Sequence, residues 1–451
     1  MMREMDLVSL GGRGDGITDN SPAFERALAA LNAAGGGTLT VGRGIWRTGP
    51  LELFSHCTLC LEEGAVLSFI AEPARYAPVF TRWEGVRCFA MHPCVFAKDA
   101  EHIRVEGTGR LDGNGRFWWE LLREKRQRGQ RFPETSEERA LARLNPDFET
   151  QSGGGGGRNT QFLRPPLVQF YQCADVRLSG VTLVNSPFWT VHPVFCRGVT
   201  LSGLSIVNPP DAPNTDGIDI DSCEDVEIEG CRVSVGDDGI ALKSGSGRDG
   251  IEAGRPTCRV NIRDCTVADG HGGVVIGSET AGGISAVLAR DCRFRGTDRG
   301  IRVKTRRGRG GRIRDLEFRD LTMENNLCPL SINMYYRCGA EHDAACFTTA
   351  PLPLTPETPS IARVTVRGLR ATGCRASAGF IAGLPESPVE QLRLEDCAFS
   401  TDETSAVSPN ESDMFLGLPP VTEKSFRLLN VKAPELRNIT VQGPEAPFIY
   451  R

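Results

Sequence analysis

Short apolar alternations recur along this chain. The pattern is apolar-x-apolar-x, then Gly or Asp, then apolar-x-apolar. It runs from Val176 to Leu183, Val199 to Ile206, Val226 to Val233 and Val260 to Val267. Later copies cover residues 289–294, 316–323, 364–369 and 392–399. Period-two alternation marks a strand with one buried face. The Gly or Asp marks a turn between two such strands. The residue after that turn is Val181, Leu204, Cys231, Cys265, Cys292, Leu321, Leu369 and Cys397 in successive copies. Most steps between these are 23 to 34 residues, within the range of solenoid repeats. One coil cannot bury its inward residues alone, so like residues stack from coil to coil. The expected fold is therefore all-β: one parallel β-helix domain over residues 1–451, with cysteines among the internal rungs. Leucine-rich repeats share such periods, but their Leu/Asn consensus is missing.

An open solenoid end exposes strand edges and needs a cover. Phe24, Ala27, Leu28 and Leu31 fall at i, i+3, i+4 and i+7, one apolar helix face. Asn20 or Ser21 can cap this helix and Pro22 suits its first turn. A helix over residues 21–33 is the predicted N-terminal cap. The glycines before it lack the Lys-Ser/Thr of a phosphate loop. Three stretches break the rhythm. Residues 118–165 are charged and helix-prone, then hold a glycine run at 153–157 that reads as flexible. Residues 337–360 are rich in Cys, Pro and Thr, and residues 400–425 are polar. Long insertions in a solenoid gather on one face, often the binding face.

Composition narrows the classes. At 40% apolar and 24% charged, the chain can bury a core. A net charge of −5 gives no bulk attraction to nucleic acid or an anionic membrane. No apolar run is long enough to span a bilayer. The 16 cysteines lack metal-ligand spacing and sit mostly at strand positions, Cys57 and Cys60 included. Reduced, buried thiols and a cytoplasmic setting are expected, also because the first residues show no apolar signal core. Residues 298–314 carry eight Arg and Lys against one Asp; Arg306 to Arg314 read mostly as solvated turn charges.

The chemistry gathers at two places. Asn214-Thr215-Asp216 and Gly236-Asp237-Asp238-Gly239 lie about one coil apart. Stacked parallel strands would put Asp216 and the Asp237/Asp238 pair about 4.8 Å apart. Acids so crowded do not all ionise easily, and a held proton beside a free carboxylate suits acid/base hydrolysis. Asp-Gly pairs also mark turns, and Asp219, Asp221 and Asp225 read as turn residues. Asp216, Asp237, His271 and Arg302 are separated by 21, 34 and 31 residues, about one coil each. His271 stands between glycines, where nothing large shields it. Arg302 and Lys304 alternate with Val303, so both cations point to one side of a strand. Two acids, a histidine and two cations along one groove suggest acid/base work on an anionic substrate.

These four motifs, in this order and spacing, resemble the polygalacturonases, family 28 of the glycoside hydrolases. Gly14-Asp15-Gly16 with Thr18-Asp19 also resembles pectin-acting β-helices, and the resemblance covers nearly the whole chain. It implies a right-handed parallel β-helix of the pectin-lyase-like kind. It implies hydrolysis of α-1,4 galacturonosyl linkages in an oligo- or polysaccharide, with inversion. Asp237 matches the general acid, Asp216 and Asp238 the pair that activates water, and His271 the residue supporting the acid. Arg302 and Lys304 match the pair gripping a sugar carboxylate, and Asn214 belongs to the substrate-binding set. Tyr336 is a looser match to a substrate-contacting tyrosine. No metal or organic cofactor is implied. Carboxylates about 5 Å apart point to retention on geometry alone, since inverting pairs are wider. The closer look to bacterial exo-polygalacturonases, and insertions able to close one end of the groove, imply attack from a chain end. Two rivals stand beside this reading. One is a pectin lyase with calcium on Asp216, Asp219 and Asp221; the other is a non-catalytic carbohydrate-binding β-helix.

Overall fold

The computed structural model describes residues 3–150 and 157–450. The glycine run expected to be flexible lies, apart from Gly157, outside the described residues. The fold is a right-handed parallel β-helix. The described chain divides into two compact units whose main boundary falls between Asp237 and Asp238; residues 84–86 group with the second unit.

In the first unit, one sheet stacks β1 (Leu51–Leu53), β2 (Val95–Lys98), β3 (Val168–Tyr171), β4 (Val191–Val194) and β5 (Ile218–Asp221), each parallel to the next. The alternating repeats form further parallel strands. Val176 lies opposite Val199, which lies opposite Val226; Leu178, Leu201 and Ile228 form the next rung. In the second unit, β6 (Asp238–Lys243), β7 (Gly272–Gly277), β8 (Arg299–Lys304), β9 (Cys328–Asn333) and β10 (Gly379–Ala382) stack the same way. There Val260, Val287, Leu316, Val364 and Leu392 make one continuous rung.

The repeat pattern has a backbone cause. Gly180, Gly203 and Gly230 in the first unit, and Asp264, Asp291, Asp320, Gly368 and Asp396 in the second, all have φ between 52° and 75°. Glycine enters this left-handed region freely and Asp more easily than most residues. That is why the turn position admits only those two types in these copies. The residue after it turns inward: Val181, Leu204, Cys231, Cys265, Cys292, Leu321, Leu369 and Cys397 are all buried. Each fully buried aliphatic side chain contributes about 1.5–3 kcal/mol. None of the 16 cysteines is in a disulfide, and all but Cys60 and Cys338 are buried.

Helix α1 spans Ser21–Ala33, as the periodicity predicts, and buries Phe24, Ala27, Leu28 and Leu31, with the helix packed on the strand Gly37–Val41 and on β1. Neither expected side-chain cap forms. Asn20 instead accepts from the Arg13 amide at 2.7 Å and donates to the carbonyls of Arg13, Thr18 and Arg47. Ser21 donates to Asp19 at 2.6 Å. The first insertion holds α2 (Gly115–Gln127) and α3 (Ser136–Leu144); α3 starts with a Thr135/Glu138 capping box. A buried Lys125–Glu138 ion pair of 2.7 Å joins them. Each of the other two insertions holds one short 3-10 turn, at Ala344–Cys346 and Pro409–Glu411.

Candidate active site

In the first unit, Asp216 sits in the bend before β5 and Asp237 ends the unit. Carboxylate oxygens of the two lie within 4.8 Å of each other. The Thr215 hydroxyl explains this approach. It donates to the Ala212 carbonyl at 2.9 Å and accepts from the Gly236 amide at 3.3 Å. Gly236 must be glycine, because a Cβ would meet the Ala212 oxygen at 2.4 Å. Asp216 is further fixed through its own carbonyl, which accepts from the Thr190 amide at 2.9 Å. At an effective dielectric of 20, two ionised carboxylates this close repel by about 3–4 kcal/mol. Asp216 is buried and Asp237 half-buried. Of the pair, Asp237 therefore has the more open approach.

Asn214 precedes this bend with φ 56°. Its amide oxygen accepts from Arg164 at 2.8 Å. The insertion helix α2 meets the same loop, where Arg123 pairs with Asp211 at 2.7 Å.

Asp219 and Asp221 are not turn residues. Both lie in β5 and are completely buried. The strand Pro78–Trp83 lies over this face and seals it. Its Arg82, also buried, donates to Asp221 at 2.7 Å and to Ser222 at 2.8 Å, with its guanidinium 4.1 Å from the Phe195 ring centre. Thr81 donates to Gln169 at 2.6 Å. Gln169 donates to the Arg82 carbonyl at 3.2 Å, and its amide nitrogen lies 2.8 Å from Nδ1 of His192. Nε2 of His192 faces Asp221 at 3.6 Å. Burial alone would raise the Asp221 carboxyl; Arg82 and His192 instead bring it down to about 2. Asp225 falls just inside the strand Glu224–Glu229 rather than in a turn, although its φ of 58° is the left-handed backbone that turns use.

In the second unit, Arg302 and Lys304 point to one side of β8, as alternation predicts, and converge on Asp238. Lys304 donates to it at 2.6 Å and Arg302 lies at 3.5 Å. Both cations are almost sealed from solvent, Lys304 at 6% exposure and Arg302 at 1%. Arg302 also donates to Asp413 at 2.9 Å, and Ser331 bonds the other Asp413 oxygen. Burial would raise the Asp413 carboxyl, but Arg302 and Arg299 hold it well below the usual carboxylate range. Burial would lower Lys304, but Asp238 and Tyr336 together raise it above its ordinary value. Tyr336 lies under both cations, its ring centre 5.4 Å from Arg302 and 5.3 Å from Lys304. Burial pushes its hydroxyl up to about 12.

His271 is exposed in the turn before β7. The next residue, Gly272, is in register with Asp238, and a Cβ on it would meet Val275 at 2.4 Å. Arg306, Arg307 and Arg309 are not solvated turn charges. All three are buried. Arg307 forks onto Glu386 at 2.6 and 2.8 Å and onto the Thr348 carbonyl at 2.8 Å. Arg306 donates to the Gly339 carbonyl, and Arg309 to Ser246. The second insertion thus takes up much of that basic run.

Sequence reasoning missed Arg82, Arg164 and Asp413. None stands in a motif or repeat, and their contacts span 139, 50 and 111 residues.

The family model for glycosyl hydrolases family 28 matches residues 152–403. A probable polygalacturonase of Vitis vinifera is 35% identical over 328 residues, 70% of this chain and 60% of that protein. The chain therefore spans about 60% of that relative's length. The solved structure of a hyperthermoactive exopolygalacturonase from Thermotoga maritima has a TM-score of 0.77 at 32% identity, over 96% of this chain and 92% of that one. The family 28 exopolygalacturonase of Yersinia enterocolitica shares the fold, with a TM-score of 0.71 at 19% identity over 100% of this chain and 77% of that one. With more than half of its residues matched by the family model, the chain belongs to glycosyl hydrolases family 28.

Proposed function

We propose that this protein hydrolyses α-1,4 linkages between galacturonates, from a chain end and with inversion. The observation that carries the reading is the Asp216–Asp237 pair, with oxygens within 4.8 Å, followed at once by an Asp238 held by two cations. In this reading Asp237 gives its proton to the glycosidic oxygen as the bond to the anomeric carbon breaks. Asp216 and Asp238 take a proton from the water that attacks that carbon. His271 supports the acid. Arg302, Lys304 and Tyr336 hold the sugar carboxylate, the two cations being shared with Asp238. Inversion follows the family resemblance; the short carboxylate separation on its own favours retention.

Two features support attack from a chain end. In the first unit, Pro78–Trp83 covers the outward face of β3 to β5, where Gln169, His192 and Asp221 are completely buried. A polymer has no path along that face. In the second unit, the third insertion closes over β8 and β9 through Asp413 and through the Met414 carbonyl, which accepts from Asn333 at 3.3 Å. The Thermotoga maritima relative is itself an exopolygalacturonase. The same Arg82 contact weakens the calcium-lyase reading, because Asp221 is already neutralised and sealed from solvent.

On polygalacturonate, viscosity should fall slowly while reducing ends accumulate, with galacturonate or its dimer as the early product. An early ladder of mixed oligomers would sink the chain-end reading.

A further inference from the structure

Arg164 is charged, completely buried and outside every motif. Its Nη1 donates to the carbonyls of Pro187 at 2.8 Å and Pro213 at 3.0 Å. Its Nη2 donates to Oδ1 of Asn214 at 2.8 Å. The guanidinium lies 5.1 Å from the Phe188 ring centre. A guanidinium has donors and no acceptor. The Asn214 atom facing it is therefore the amide oxygen, and the amide nitrogen points away. Asn is among the few residues that tolerate the positive φ found here. The loop around it is tied by Arg123 to Asp211 and by Thr215 to Ala212. Both the backbone and the amide orientation of Asn214 are thus fixed before any ligand arrives.

We propose that Arg164 is a positioning residue that presents Asn214 as a hydrogen-bond donor, so that the sugar bound beside Asp216 is held through an acceptor oxygen. The proposal rests on the reading of Asn214 as a substrate contact. An aspartate at this position would not serve in its place. Its carboxylate would pair with Arg164 more strongly, yet would offer an acceptor and a negative charge where an acidic sugar needs a donor.

Trigalacturonate binding to the Asp237→Asn protein, measured by calorimetry, tests this without turnover. Four forms are compared: Asp237→Asn alone, and with Asn214→Ala, Arg164→Lys or both added, each with a melting curve. A lysine ammonium cannot reach three diverging acceptors as the fork does. Asn214→Ala should weaken binding about tenfold, the worth of one good hydrogen bond. Arg164→Lys should weaken it about as much alone and add little when Asn214 is already Ala. Equal losses in both backgrounds would overturn the positioning role and leave Asn214 as a contact. Unchanged binding with Asn214→Ala would overturn both. No binding by any form would overturn the functional reading and this inference with it. If Arg164→Lys does not fold, Asn214→Asp decides. It should bind more weakly than Asn214→Ala with no loss in melting temperature; binding equal to the parent would overturn the proposal.

Discussion

Replacing Asp237 by Asn lowers turnover on polygalacturonate by about 10²- to 10⁴-fold, the usual contribution of a general acid, and leaves the melting temperature close to that of the parent. The substitution keeps side-chain size and removes the titrating proton. Asp237 is half-buried, and the backbone just before it is held by the Thr215 hydroxyl on the Gly236 amide. Asn, like a protonated Asp237, is neutral, so the variant adds no like-charge repulsion with Asp216. Size and backbone ties are kept, so activity and stability should separate. Initial rates and a thermal melt on the same preparation check this. Near-parental turnover in a folded variant would take the acid role from Asp237.

At Arg302, by contrast, stability itself is expected to fall. Arg302→Met leaves Asp413 buried and deprives Asp238 of one of its two cations. Removing one partner of a buried ion pair costs about 3–5 kcal/mol. The melting temperature of this variant should therefore fall by several degrees at neutral pH. Asp413 is held below its ordinary value by Arg302, so the stability it supplies is complete above about pH 4 and is lost as pH falls through its lower, folded value. The gap between parent and variant should thus narrow as the pH drops below about 4. Melting curves across that range check the sign. A gap that widens toward acid would mean that Asp413 is not the group Arg302 neutralises.

The coils were legible because burial repeats. Val176, Val199 and Val226 face one another in the structure, and the same spacing can be read from the chain. The turn position was legible too, since only residues tolerant of a left-handed backbone occupy it. The convergence of Arg302 and Lys304 followed from strand alternation. What they converge on did not follow. Asp413 comes from an insertion without periodicity, and nothing local distinguishes it from other polar loop residues. Asp221 misled for a related reason. An acidic residue in a Gly- and Asp-rich stretch reads as a turn, unless a distant arginine makes its burial tolerable. Arg82 is that arginine, 139 residues away. Arg306, Arg307 and Arg309 repeat the lesson, since a basic run looks solvated until the carbonyls and carboxylates of an insertion close over it. Long-range polar pairs leave no periodic trace, whereas stacked apolar rungs do.

The central claim is hydrolysis of a galacturonosyl linkage, and product mass on trigalacturonate tests it most directly. Each cleavage should add one water, giving galacturonate and digalacturonate with saturated ends, and Asp237→Asn should slow the appearance of both products together. Ultraviolet-absorbing unsaturated products with no added water, lost on treatment with a chelator, would contradict it.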